Sequence, residues 1–166
     1  MHYLCGLIVK DTDDYNLEEK KDCVRRTAES FMDDQYTLGK IDYYIEEDAG
    51  RWSTVYPGKA VYAATENKFF EIVENLIGFQ KENTKIFYEN KGDIDKSYES
   101  YLAGEDHFVF GSWSLYCLTQ LLYGHFIPDS AIYDTYNRTG RISKKMIEEY
   151  KNNPNDYFIV MLDIHA

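Results

Sequence analysis

The sequence predicts an α+β protein, a ferredoxin-like or related α/β sandwich with one sheet and helices packed mainly on one of its faces. Three observations lead there. An apolar, β-rich run at residues 3–9 opens the chain, a helical stripe follows it, and an alternating segment at 40–46 follows the stripe. A second long apolar run, 157–164, ends the chain and is expected to lie centrally in the same sheet.

The first strand stops at the polar turn "KDTDDYN". Beyond it Leu17, Val24, Ala28 and Phe31 recur at helical spacing, with Asn16 placed as N-cap and Glu18 and Glu19 in the first turn, so the spacing predicts a helix over 17–32. In "KIDYYIEEDAGRW", Ile41, Tyr43 and Ile45 alternate with Asp42, Tyr44 and Glu46, the period of a strand with one buried face; Tyr43 is expected inward and Tyr44 outward unless a bulge swaps them. Phe69, Ile72, Val73, Leu76 and Ile77 form the stripe of a second helix that Gly78 would cap, and "KIFYEN" reads as a short strand. "DIDKSYESYLAG" reads as a short helix closed by Gly104. Leu115, Leu118 and Leu122 predict a buried helix over 113–123. "SAIYDT" is a strand, "NRTG" a turn, and Ser143 caps a helix through Tyr150 that Asn152 to Pro154 stops.

At 166 residues with 44% hydrophobic and 16% aromatic content, the chain is expected to form a single domain over 1–166. Its net charge of −11 argues against direct binding to nucleic acid or to an anionic membrane, both of which need a basic face. The acid is concentrated early, with 13 Asp/Glu against 6 Lys/Arg in the first 50 residues. An acidic face can also imitate nucleic acid toward a basic protein partner. Without a basic leader or a run of 18 apolar residues, the protein is expected to be soluble and cytoplasmic. Cys5, Cys23 and Cys117 have no metal-finger spacing and read as small buried residues, so neither a metal site nor a cofactor is expected.

Asp42, Tyr43, Tyr44, Gly50, Arg51 and Trp52, then Ala131, Tyr133 and Gly140, and last Asp163 and His165 follow a pattern. Its parts are a "DYY…GGRW"-like segment, an "A-V-V-T-x-D-G-x-W"-like strand and a "V-x-D-x-H-I"-like terminal strand. The pattern resembles that of uncharacterised small proteins of bacteriophages and prophages. The resemblance touches both ends of the chain and leaves out residues 54–127. The chain departs from it with Ala49 in place of a first glycine, with inserted acids, and with no tryptophan after Gly140. It implies a phage accessory protein acting in the host-cell cytoplasm, of the kind that counters host defences.

Binding is favoured over catalysis. Arg51 beside Trp52 offers a base-and-phosphate reading pair, and the 16 tyrosines supply rigid contact area with a polar tip. The ligand-binding candidates are Tyr44, Arg51, Trp52, Tyr133, Tyr136, Arg138 and Arg141, for a nucleotide-like immune signal sequestered without turnover. Alternatively, Trp52 caps the core while Arg51 pairs with Glu46, Glu47 or Asp48. Two other functional classes stay open: an acidic inhibitor of a host nucleic-acid-binding effector, and a small hydrolase using Asp163 and His165, which lie two apart on one strand face. Asp106, His107 and His125 stand isolated and carry no catalytic assignment. An edge strand or exposed tyrosines would also serve a homo-oligomer.

Overall fold

The computed structural model describes residues 1–105 and 112–166. Within these, five strands form one mixed sheet: β1 (His2–Lys10), β2 (Tyr43–Tyr44), β3 (Val61–Ala63), β4 (Ile132–Asp134) and β5 (Tyr157–His165). The two terminal runs are its centre. β1 and β5 pair antiparallel along nine residues, from His2 opposite His165 to Lys10 opposite Tyr157. β4 runs parallel to β1 at one edge, and β2 and β3 share the other side of β5.

Alternation along β1 and β5 divides the interior in two. Cys5, Leu7 and Val9 with Phe158, Val160, Leu162 and Ile164 face α1 (Leu17–Thr37), whose Val24, Ala28 and Met32 are buried against them. Ile8, Ile159 and Met161 face the other way, onto Phe69, Ile72, Val73 and Leu76 of α2 (Asn67–Glu89) and Tyr150 of α5 (Lys144–Asn152). The fold is therefore α+β around one sheet, with α1 alone on one face and α2 and α5 on the other. The remaining helices are α3 (Ile94–Leu102) and α4 (Ser112–Tyr123); α4 sets Cys117 and Leu121 against Ile127, with Phe87 of α2 packed on them.

Several expectations hold. Asn16 caps α1 in a full capping box, Ser143 caps α5, and "DIDKSYESYLAG" holds the short helix α3. Others are corrected. α1 continues five residues past 32, because nothing from Asp33 to Thr37 breaks a helix and the first left-handed residue is Gly39. α2 does not stop at Gly78, and "KIFYEN" is helix, not strand. Its second half docks through Phe87 and through polar side chains: Gln80 Nε2 donates to the Ser130 carbonyl at 2.6 Å and Asn83 Nδ2 to the Asp129 carbonyl at 3.0 Å. Those contacts leave no apolar stripe to read. The inward tyrosine is Tyr44, packed toward α1, while Tyr43 is 44% exposed. Asp106, His107 and the apolar residues up to 111 lie outside the described residues.

Candidate functional site

Phe31, Asp34 and Gln35 of α1 and its C-cap residue Leu38 recur at spacings of three and four, so they form one row along the helix and its end. That row faces β4 and the turn after it. Between them lies a cleft of about 510 Å³ lined by Phe31, Asp34, Gln35, Thr37 and Leu38 on one side and by Tyr133, Thr135 and Arg138 on the other. A neighbouring hollow of about 330 Å³ shares Phe31, Asp34 and Thr135 and adds Lys10 and Tyr136. Two of the seven sequence-predicted ligand residues, Tyr133 and Arg138, thus line the cleft, and a third, Tyr136, lines the hollow beside it.

The strand side is held firmly. Asp134 is fully buried; its carboxylate accepts the Asn137 backbone N–H at 2.7 Å, the Asn137 side chain at 2.9 Å and the Tyr150 hydroxyl at 2.6 Å. Its backbone N–H donates to the Thr139 carbonyl at 2.8 Å, which closes the turn presenting Tyr136 and Arg138. Arg138 sits in that turn at φ 53°, a left-handed conformation that glycine adopts more cheaply.

Tyr133 is 8% exposed, and its ring stacks on Phe31 at 5.2 Å and meets Phe126 edge-on at 5.6 Å. Burial pushes its hydroxyl pKa up, Arg138 pulls it back and Asp134 raises it again, so it stays a neutral hydroxyl at ordinary pH. Tyr136 is exposed, with the Lys10 ammonium 4.6 Å from its ring centre. The Arg138 guanidinium makes no ion pair and no hydrogen bond among the described residues.

The other four candidates lie elsewhere. Tyr44 gives its hydroxyl to Asp33 at 2.9 Å and packs into the interior under α1. Trp52 packs into the interior on the opposite face of the sheet. The expected Tyr44–Arg51–Trp52 grouping is thus overturned, because the sheet separates its two rings. Arg51 is exposed, pairs with none of Glu46, Glu47 and Asp48, and is anchored by its backbone N–H on Asp163 Oδ2 at 2.9 Å. Arg141 is committed to the end of α4, donating to the Leu122 carbonyl at 2.8 Å.

Asp163 and His165 do not pair with each other. Asp163, 1% exposed, lies 2.7 Å from His2 Nδ1, and His165 Nδ1 lies 3.0 Å from Asp42 Oδ2. Each carboxylate orients an imidazole across neighbouring strands. Among the described residues no three His, Cys, Asp or Glu side chains are placed to hold a metal. Burial pushes the Cys5 thiol up to about 12 and the Cys117 thiol up to about 11, which keeps both protonated and poor as nucleophiles.

Sequence reasoning missed Asp34 and Gln35. Their signal was the three- and four-residue spacing from Phe31, but they lie beyond the predicted end of the helix, so the row was never extended to them. No helix among the described residues is long and apolar enough to cross a membrane. No family model matches the chain, and neither a curated protein nor a solved structure matches it.

Proposed function

We propose that this chain acts by non-enzymatic binding, sequestering a nucleotide-like small molecule in the groove between α1 and β4. The reading extends the phage resemblance: a phage accessory protein that removes a host immune signal from the host cytoplasm. One observation carries the binding reading. An arginine without an acidic partner among the described residues stands at a cleft walled by Phe31 and Tyr133, inside a chain of net charge −11 in which acids are abundant. A guanidinium so placed is available to a phosphate as a forked donor, and the aromatic wall suits a base. The cleft's volume of about 510 Å³ falls in the usual range of small-molecule sites, about 300–1,000 Å³.

The decisive experiment incubates the purified chain with a host nucleotide extract, washes it, releases bound material by heat and analyses it by mass spectrometry. An intact nucleotide, lost in the Arg138→Ala variant, is the expected result. Recovery of an altered nucleotide would replace sequestration by turnover. Capture of nothing would remove the small-molecule reading.

A further inference from the structure

We propose that the base this groove selects is guanine, held through its N–H donor edge by Asp34 and Gln35. The inference rests on the nucleotide reading above and names the base within it.

Two acceptors on the helix wall of the groove have no partner among the described residues, Gln35 Oε1 and the Asp34 carboxylate. Gln35 is 6% exposed, and its Nε2 reaches the Phe31 carbonyl at 3.4 Å, which identifies Oε1 as the free end. That Oε1 is the one buried side-chain polar atom among the described residues without a hydrogen-bond partner. Such an atom is a standing cost to the fold, removed when a donor arrives. Asp34 precedes it and lines both hollows; its carboxylate takes part in no hydrogen bond or ion pair among the described residues. The opposite wall ends in the positive charge of Arg138; the Thr135 hydroxyl proton is committed to the Ile8 carbonyl at 2.9 Å, which leaves its oxygen as one more acceptor there.

A ligand that suits both walls offers adjacent N–H donors on one edge and negative charge on another. Guanine presents N1–H beside an exocyclic N2 amine, which matches a carboxylate with two parallel donors and leaves one amine hydrogen for a second acceptor. Adenine and cytosine each present a single amine flanked by a ring acceptor. Uracil places two carbonyl oxygens beside its only N–H, and both would face carboxylate or amide oxygen. Phe31 and Tyr133 already stack on each other, so the base lies against this pair rather than between its rings. The phosphate is then directed to Arg138. A free guanine nucleotide and a guanine within a single strand share this chemistry, although a chain of net charge −11 disfavours the polyanion.

The test is calorimetric titration of the full chain with GMP, IMP, AMP, CMP, UMP and a guanine-containing tetranucleotide. The same set is run on Asp34→Asn, Gln35→Met and Arg138→Ala, with circular dichroism confirming each fold. GMP is expected to bind at least tenfold tighter than UMP, and IMP, which lacks the amine, several-fold weaker than GMP. Asp34→Asn should erase the preference, whereas Arg138→Ala should weaken all nucleotides alike. Asp34 is exposed, so its variant keeps the test decisive even where Gln35→Met fails to fold. Equal affinities, or tighter AMP or UMP, would overturn the base assignment and leave nucleotide binding standing. Absence of binding by every nucleotide would overturn both. A tetranucleotide that binds tighter than GMP would support the guanine edge and place its source in a strand.

Discussion

Two hollows of nearly equal size flank α1 and differ in how their polar groups are used. The one toward β2 and β3, about 530 Å³, is lined by Asp22, Arg25, Arg26, Glu29, Glu47, Gly58 and Lys59. There Arg25, 5% exposed, gives its guanidinium to the carbonyls of Lys59, Met161, Ile45 and Asp48 at 2.9–3.3 Å and to Glu29 at 2.8 Å, while Lys59 pairs with Asp22. The one toward β4, about 510 Å³, keeps Arg138, Asp34 and Gln35 Oε1 without partners among the described residues. In the first hollow the buried Arg25 is satisfied internally and ties loops to the sheet, and the charges left over, Arg26 and Glu47, make no ion pair among the described residues. The second hollow differs by a buried acceptor without a partner and by the Phe31–Tyr133 wall, and volume alone does not distinguish the two.

The largest way to break this comparison is Arg25→Met. It strips four carbonyls and a carboxylate of their donor, and removing one partner of a buried ionic network costs about 3–5 kcal/mol. Chemical denaturation should show a loss of that size; a loss below about 1 kcal/mol would mean that the guanidinium is not the tie. Trp52→Ala should follow at about 2 kcal/mol, since the indole is half-buried against Ala49, Tyr56 and their neighbours. Its nucleotide affinity should equal that of the parent, and a weakened titration would return Trp52 to the site.

On the other flank the signs change. Arg138→Ala should lower nucleotide affinity about tenfold, or about 1.4 kcal/mol, while the melting temperature stays within error, because the side chain has no partner among the described residues to lose. Gln35→Met should leave stability unchanged or raise it by about 1 kcal/mol, since an apolar side chain of similar length replaces an unmet acceptor. A clear loss of stability would show that Gln35 supports the fold.

The smallest effect sharpens the contrast with a polar group outside both hollows. Burial raises the Asp129 carboxyl pKa above its ordinary 3.8. A raised acid favours its protonated form in the fold, so it costs stability above its folded pKa, and the cost disappears as pH falls below the unfolded value. Asp129→Asn should therefore raise the melting temperature slightly at pH 7 and not at all below about pH 3.8. A constant difference across that range would trace the effect to packing.

What the sequence by itself determined are the elements whose signal is local. Asn16 and Ser143 cap α1 and α5 because a side-chain oxygen two or three residues from a free N–H needs nothing distant. The runs at 3–9 and 157–164 are apolar on both faces, which marks strands covered on both sides, and they became β1 and β5. The tertiary structure decided the rest. Gly78 reads as a helix end, but packing and the polar docking of Gln80 and Asn83 carry α2 through it at a propensity cost of about 1 kcal/mol. Tyr44 and Trp52 stand eight residues apart in sequence, yet the sheet puts one in each interior. Gln35 and Arg138, 103 residues apart, face one groove because β1 joins β4 on one side while α1 crosses its face. Spacing along a chain reports neighbours on one helix or strand; which elements become neighbours is set by the burial of two sheet faces at once, a condition no local pattern contains.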